Sequence, residues 1–413
     1  MSGSTNHLKT AHVARRFTFD EWGGTETVVW NTVRQLNIRG VGADILATSA
    51  LSSPGDEVRE GIRIRRFDYS YPYFPMPAKT RLELDKKGGN PFAPGLFRAL
   101  ETGGYDLIHI HSGGRIAVQC VLLAGRLGIP CVMSLHGGCA VVPQEEIRRM
   151  MAPVRGRFHY GGIIDRLRGL RRNAEAEADA VICISRGEER SLKERLPGRR
   201  IVYLPNGVNC ARFQAPTAAS PRAEWGIPGD RRLILCISRI DYQKNQKILL
   251  RLAADDPESH LLLIGPVTAP WYHRELLEEA EALGVSRRLT VIPGLPPDDP
   301  RLPAILHDAE VFVLPSLHEP FGIAALEAWA AGVPVIASAV GGLRDFIVHE
   351  RNGLLFSSGS VEELLADYRR LKNDPALRRT LTANAAEDVR AYSWESITGR
   401  LLDLYEELCR EKH

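Results

Sequence analysis

Two rhythms of apolar residues alternate along the chain. Short β-branched or aliphatic runs are followed by segments whose apolar positions return every three or four residues. In the first half "KTAHVARRF" leads into "GGTETVVWNTVRQLNIRG" and then "ADILAT"; "YDLIHIH" leads into "RIAVQCVLLAGRLG" and then "PCVMSLH". "NAEAEADAVICIS" precedes "RGEERSLKERL", and "RIVYLPNGV" closes the half. Strand and helix alternating at this spacing predict a mostly parallel sheet with helices on both faces. A polar, proline-containing connector, "NCARFQAPTAASPRAEWGIPGDRR", breaks the rhythm. It resumes with "LILCISRI", "HLLLIGP", "RLTVIPG", "AEVFVLPS" and "GLLFS" as strands and helical segments between them.

The pattern predicts an α/β protein of two doubly wound, Rossmann-like domains, residues 1–207 and 208–393. Ligands of such sheets bind outside the carboxyl ends of the strands, and two such ends can face each other across a central cleft. A length of 413 residues agrees, being too great for one ordinary core. Residues 71–98 and 140–172 interrupt the alternation and read as long functional surface excursions.

Composition narrows the class. Charge is nearly balanced, and a net charge of +3 does not indicate a nucleic-acid partner. No apolar run is long enough to cross a bilayer, and "MSGSTNHLKT" has no signal-peptide core, so a cytoplasmic protein is expected. The seven cysteines are scattered without a C-x-x-C pair, which suits reduced core thiols better than a disulfide frame or a zinc site.

The candidate chemistry sits at predicted strand ends. "SLHEPFGIAALEAWAAGVPVIAS" carries Glu319 before a helix and Glu327 inside it. Helix-dipole compensation suffices for Glu319. It does not suffice for Glu327, which stands among small apolar residues on every face and needs a polar partner. The helix is expected to begin near Phe321, Gly322 and Ile323, whose free amides form a ready anion site. "LCISRIDYQKNQ" places Arg239 and Lys244 in a strand-to-helix loop, either as an ordinary solvated loop or as a clamp on a diphosphate. Gly294 follows another strand, where exposed backbone can approach a planar base. In the first half, Gly23 and Gly24 of "EWGGTET" form either a plain tight turn or a place where backbone meets a phosphate or sugar. His136 of "SLHGG" ends a strand beside two glycines. His109 and His111 share one strand face, with no third metal ligand evident nearby in the sequence. Asp298 and Asp299 of "PPDDP" read as a proline-bounded surface loop, and no D-x-D pair stands at a predicted strand end.

Together "GGTE", "SLHGG", "LPNGV", "SRIDYQKNQ" and "EPFGIAALEAWAAGVPVIAS" resemble, in order and over residues 12–395, the retaining GT-B glycosyltransferases of family 4 with their E-x7-E motif. The resemblance implies a nucleotide diphospho-sugar held mainly by the second domain, with Glu327 on the ribose hydroxyls and Glu319 on the transferred sugar. It implies that Arg239 and Lys244 neutralise the diphosphate with help from the amides of Phe321 to Ile323. Gly294 lies where backbone reads the base, and Gly23, Gly24 and His136 approach from the first domain. "WESITGRLLDLYEELCR" matches the family's C-terminal crossover helix, expected within residues 394–413. A UDP-sugar is the favoured donor and GDP-mannose the other; no cofactor is implied and no metal is required. The acceptor expected is a glycan or lipid-linked precursor of cell-surface polysaccharide or glycolipid. The aromatic and arginine-rich excursions suit contact with an anionic membrane or a phosphorylated acceptor. The rival readings are a sugar-nucleotide epimerase or a phosphorylase on the same plan, and a silent nucleotide-sugar-binding partner subunit.

Overall fold

The structure, a computed structural model, describes residues 8–137 and 152–412. It divides into two compact units, Met1–Leu204 with Thr398–His413, and Pro205–Ile397. The first boundary falls at 204/205, ahead of the 207/208 expected, for a visible reason. The Val208 amide donates to the Tyr392 carbonyl at 2.8 Å and the Val208 carbonyl accepts from the Trp394 amide at 3.1 Å. Gly207 lies so close to the Trp394 ring that a Cβ there would stand 2.5 Å from Trp394 Cδ2. "PNGV" is thereby bound into the second unit.

The first unit is built on β1 (Lys9–Arg16), β2 (Gly42–Thr48), β3 (Gly55–Arg59), β4 (Ile62–Phe67), β6 (Leu107–Ile110), β7 (Cys131–Ser134), β9 (Ala180–Cys183) and β10 (Ile201–Tyr203), while β5 (Tyr73–Phe74) and β8 (Phe158–His159) form a separate antiparallel pair. The order in the large sheet is β10-β9-β7-β6-β1-β2-β4-β3, parallel except for the β3–β4 pair. Central strands are buried on both faces, which is why they read as continuous apolar runs. Val13, Ile108, Ile110, Met133 and Val181 pack with Ile116 and Val121 of the helix Gly114–Leu127.

The β3–β4 hairpin is absent from the sequence reading. Every residue of β3 is at least partly exposed, so the strand has no apolar rhythm to detect; the turn is marked instead by Glu60 and Gly61, both at positive φ.

The second unit carries β11 (Arg232–Ile237), β12 (Ser259–Ile264), β13 (Leu289–Ile292), β14 (Val311–Leu314), β15 (Val335–Ser338) and β16 (Leu354–Phe356) in the order β13-β12-β11-β14-β15-β16. All its pairs are parallel. Its core joins Ile234, Leu261, Leu263, Val311, Val313 and Ile336 to Leu364 and Tyr368 of the helix Val361–Asn373. The two parallel-sheet units establish the α/β class.

The last helix, Trp394–Lys412, begins in the second unit and from Thr398 belongs to the first. There Tyr405 is fully buried against His109, and Arg200 pairs with Glu407 and Glu411. The excursion 71–98 is tied down from beneath: Asp85 accepts from the hydroxyls of Tyr69 (2.6 Å) and Tyr71 (2.9 Å), and Arg15 donates to the Leu84 and Asp85 carbonyls. The arginine-rich excursion lies partly outside the described residues. From Ala152 onward it carries the short helix Gly161–Leu167, held through Asp165 by two bonds from Arg115 at 2.7 and 2.8 Å. Cys120, Cys131, Cys183, Cys210, Cys236 and Cys409 are free thiols; Cys139 lies outside the described residues. Among the described residues no helix is long and apolar enough to cross a membrane.

Candidate active site

The strand order of the second unit reverses between β11 and β14, which opens a crevice at their carboxyl ends. Both signature loops emerge there. After β11, Arg239 pairs with Asp241 at 3.1 Å, and the same carboxylate caps the amides of Gln243 (3.0 Å) and Lys244 (3.2 Å) and accepts from Thr268 Oγ1. Fully buried Gln246 donates to Ser238 Oγ and to the Arg239 carbonyl, fixing the loop from below. The Arg239 side chain remains 43% exposed, available to an anionic ligand.

After β14, Glu319 meets Lys244. Lys244 Nζ donates to Glu319 Oε2 at 2.6 Å, and buried Ser316 Oγ donates to the same oxygen at 3.1 Å. Both bonds fall on Oε2, which leaves Oε1 to accept from a ligand hydroxyl. The pair joins two loops 75 residues apart in sequence and is nearly buried, with side chains 12% and 10% exposed. In that environment each charge depends on the other.

The turn between Glu319 and the helix is set by packing against residues 341–342. Gly341 adopts φ +48, and a Cβ on it would sit 2.0 Å from the Glu319 carbonyl oxygen; one on Gly342 would sit 2.5 Å from the Pro320 carbonyl oxygen. The Gly342 amide donates to the Glu319 carbonyl at 3.1 Å. Phe321 is buried against Phe346 and stands outside the helix, which spans Ile323–Ala330 with Gly322 (φ +99) as its cap. The helix start expected at about Phe321, Gly322 and Ile323 falls at Ile323, the left-handed residue at 322 keeping Phe321 out of the helical turn. Gly294 follows β13 at φ +122, its Cβ position 3.4 Å from Pro266 N, so its loop runs close against the end of β12.

Glu327 lies on the partly accessible side of its helix while Ala325, Leu326, Ala328 and Trp329 are buried. Burial pushes its carboxyl up to about 7, and the Arg212 guanidinium pulls the other way. Arg212 is a residue the sequence reading missed. It sits on the short helix Cys210–Gln214 and donates to the carbonyls of Pro297 and Asp299, so the "PPDDP" loop holds it in place. Asp299 itself turns inward onto Arg301.

In the first unit the strand order reverses between β1 and β6. Gly23 precedes the helix Gly24–Ile38; a Cβ at Gly24 would meet nothing within 4 Å, whereas one at Gly23 would stand 3.2 Å from Glu26 Oε2. The loop before them is held by stacked Phe19 and Trp22, with Trp22 Nε1 donating to Thr27 Oγ1 at 2.8 Å. His136, at the end of β7, is joined at 3.2 Å to His111. The third partner that the sequence did not reveal for His109 and His111 is His12 of β1, whose ring nitrogens lie with theirs inside 4.8 Å. Each unit thus gathers its own share of the expected site residues. Arg239, Lys244, Gly294, Glu319, Phe321, Gly322, Ile323 and Glu327 belong to the second, and Gly23, Gly24 and His136 to the first.

Comparison with known proteins follows the same division. The family described as Glycosyltransferase Family 4 matches residues 22–212, and Glycosyl transferases group 1 matches residues 219–388. The D-inositol 3-phosphate glycosyltransferase of Streptosporangium roseum is 30% identical over 412 residues, covering 93% of this chain and 88% of the relative. That of Thermomonospora curvata is 31% identical, covering 93% and 90%. Sucrose-phosphate synthase from Thermosynechococcus elongatus superposes with a TM-score of 0.73 at 24% identity, covering 98% of this chain and 100% of the other. Anabaena HepE in complex with UDP and glucose gives 0.71 at 19%, covering 97% and 100%. At these identities the structural likeness establishes the fold.

Proposed function

The chain belongs to the family 4 glycosyltransferases, a group 1 hexosyltransferase using a nucleotide-sugar donor, and from that premise we propose that it transfers with retention from a UDP-sugar. The observation that carries the proposal is the Lys244–Glu319 pair at the β11/β14 reversal, with exposed Arg239 on the same loop as Lys244.

In this mechanism the sugar–diphosphate bond breaks with negative charge growing on the leaving oxygen and positive character on the anomeric carbon. Arg239 and Lys244 meet the growing negative charge, preorganised and partly dry, which is where such donors stabilise a transition state most. Lys244 is shared between Glu319 and the diphosphate, and Glu319 Oε1 accepts from a hydroxyl of the transferred sugar. Glu327 accepts from the ribose diol, and the first amides of the helix Ile323–Ala330 add partial positive charge. The backbone at Gly294 faces the base. The diphosphate charge is met by side chains and amides, so the proposal requires no metal. Both glutamates bind substrate and neither is a glycosidase-type acid or nucleophile. An epimerase would instead need an acid and a base at the sugar.

The acceptor in this proposal is a glycan or lipid-linked hydroxyl. Support comes from the surface of the excursions, where exposed Phe74, Phe158, Ile163 and Leu167 stand near exposed Arg166 and Arg168, a chemistry suited to anionic headgroups. The names of the curated relatives favour a second reading, a phosphorylated cyclitol acceptor.

Calorimetric titration with UDP-glucose and GDP-mannose, in magnesium and in EDTA, tests the donor. Selective binding of the uridine compound, unchanged by EDTA and lost in Glu327→Ala, is expected. Binding of neither, or binding indifferent to Glu327, overturns the donor assignment. The anomeric configuration of the product, read by NMR, decides retention.

A further inference from the structure

Two short elements of the first unit turn large apolar side chains outward. In the antiparallel pair of β5 and β8, Tyr73 lies opposite His159 and Phe74 opposite Phe158. Opposed residues share a face of such a pair and successive residues alternate, so the two couples stand on opposite faces. Tyr73 and His159 stack with ring centroids 4.7 Å apart, and Tyr73 packs inward on the cluster of Tyr71, Leu84 and Val154. Phe74 and Phe158 are left on the outer face, 70% and 65% exposed. The helix Gly161–Leu167 repeats the arrangement. Ile164 packs on the core of the large sheet and Asp165 turns in to Arg115. Ile163 and Leu167, four residues apart and so on one face of the helix, are 60% and 81% exposed.

A rigid mount, not a loose loop, holds these side chains out. Buried Arg115 grips both elements: its Nε and Nη2 donate to Asp165 at 2.7 and 2.8 Å, its Nη2 lies 3.2 Å from His159 Nε2, and its Nη1 donates to the Asn90 carbonyl at 2.7 Å. A Cβ on Gly161 would stand 2.4 Å from Arg115 Nη2, so the helix begins directly against that guanidinium. Arg157 ties the start of β8 to the Pro75 carbonyl and to Thr80 Oγ1, both at 2.9 Å. Four large apolar side chains pinned outward on two linked elements forgo the stabilisation that burial would give, and such a patch marks a surface that is covered when the protein works.

What covers it is indicated by charge. From Ala152 to Asn173 the sequence carries six arginines and one acid, and that acid, Asp165, is already neutralised by Arg115. Arg172 is spent on Glu177, but Arg155, Arg166, Arg168 and Arg171 are exposed. A second copy of this chain fits poorly, because a two-fold contact would bring the same arginines face to face. A nucleic acid or a free phosphorylated ligand would satisfy the cations and leave Ile163 and Leu167 in water. Apolar side chains set among long cationic ones suit a layer that is anionic at its surface and apolar just beneath. We propose that the outer face of the β5–β8 pair and of the helix Gly161–Leu167 docks on an anionic phospholipid bilayer, with the four apolar side chains at the boundary of headgroups and acyl chains and the arginines on the phosphates. Such a bilayer presents the lipid-linked acceptor of the reading above, on which this use of the dock rests.

Co-sedimentation of the full chain with vesicles tests the dock, comparing phosphatidylcholine alone with a mixture of phosphatidylcholine and phosphatidylglycerol. Partition onto the anionic vesicles is expected to be about tenfold or more above that onto the neutral ones, and to weaken as salt rises. Phe74→Ser with Phe158→Ser, and separately Arg166→Glu with Arg168→Glu, should each lower the anionic partition about tenfold or more. All four of these side chains are exposed, so the urea midpoint should stay parental. Ile163→Ser with Leu167→Ser is the substitute if the first serine pair does not fold. In Phe158→Trp the added indole should be quenched by brominated lipid, over and above any quenching in the parent. The proposal is overturned if neutral and anionic vesicles bind alike, or if light scattering shows a dimer that the serine variants dissolve. It is equally overturned if the serine pairs change nothing, which leaves only attraction of arginines to phosphate. Vesicle binding is read without donor or acceptor, so a protein that docks yet glycosylates only soluble acceptors keeps the dock and loses the lipid-linked acceptor.

Discussion

Replacing Glu327 by glutamine separates two effects of one carboxyl group. Its folded value, about 7, lies above the ordinary 4.5. Between these two pH values the unfolded chain has released a proton that the folded chain still holds, so stability falls as pH rises through the window. At about 1.4 kcal/mol per unit the ionised form costs the fold on the order of 3 kcal/mol by pH 8, and nothing below pH 4.5. Glutamine keeps the shape and removes the charge. Glu327→Gln should therefore unfold at higher urea than the parent at pH 8, with the two converging at pH 4.5. Binding runs the other way, because a ribose diol is accepted by the carboxylate. From pH 8 to pH 6 the ionised fraction drops from about nine-tenths to about one-tenth, so apparent affinity for UDP-glucose should weaken about tenfold. The sugar nucleotide is the right probe because its diphosphate does not titrate in that range. In Glu327→Gln the affinity should be weaker throughout and flat with pH. A variant less stable than the parent at pH 8, or one that keeps the parental pH dependence of binding, would refute both the raised value and the ribose role.

Lys244→Ala should lower turnover on the order of a hundredfold while nucleotide affinity changes far less, since the cation acts mainly on charge that develops in the transition state; stopped assays beside calorimetry measure the split. Gly341→Ala places a methyl 2.0 Å from the Glu319 carbonyl at φ +48, and is expected to cost about 1–3 kcal/mol in urea unfolding and to abolish donor binding by shifting Glu319. The histidine cluster predicts acid lability of the first unit: with folded values near 3 and 4 for His12 and His136, stability present above about pH 6.5 is lost as pH falls toward 4. Four sites give at most about 5 kcal/mol per pH unit, and the fluorescence of Trp22 and Trp30 should report opening of this unit in that range.

Most strands of both sheets were legible because parallel strands buried on both faces leave uninterrupted apolar runs, as in "LILCI" and "HLLLI". The glutamate pair was legible because a carboxylate within "GIAALEAWAAG" contradicts its surroundings. What escaped was set by contacts distant in sequence. Lys244 and Glu319 each looked like a separate ligand group, and only folding makes them partners. Gly341 and Gly342 follow a strand like many other loop glycines, and their role is visible only against the backbone of residues 319–321. Arg212 lay in a stretch read as connector, although "NCARFQ" has an asparagine cap as its local signal, with Asn209 accepting from the Arg212 amide. His12 was hidden as a single polar residue inside a strand, and nothing local shows that β1 and β6 are neighbours with His12 opposite His109.

The shared last helix has a consequence for how the protein is made. Tyr405, which fills the wall behind His109, leaves the ribosome some 200 residues after Leu204. At the usual rates of synthesis, that is a wait of about 10–40 seconds. Throughout it the nascent first unit has its large sheet but lacks the aromatic plug on one face, and its histidines have no Tyr405 hydroxyl to meet. The chain therefore cannot complete its first half until it has finished its second, so premature termination anywhere after the middle leaves an unsealed amino-terminal unit, a natural mark for proteolytic quality control.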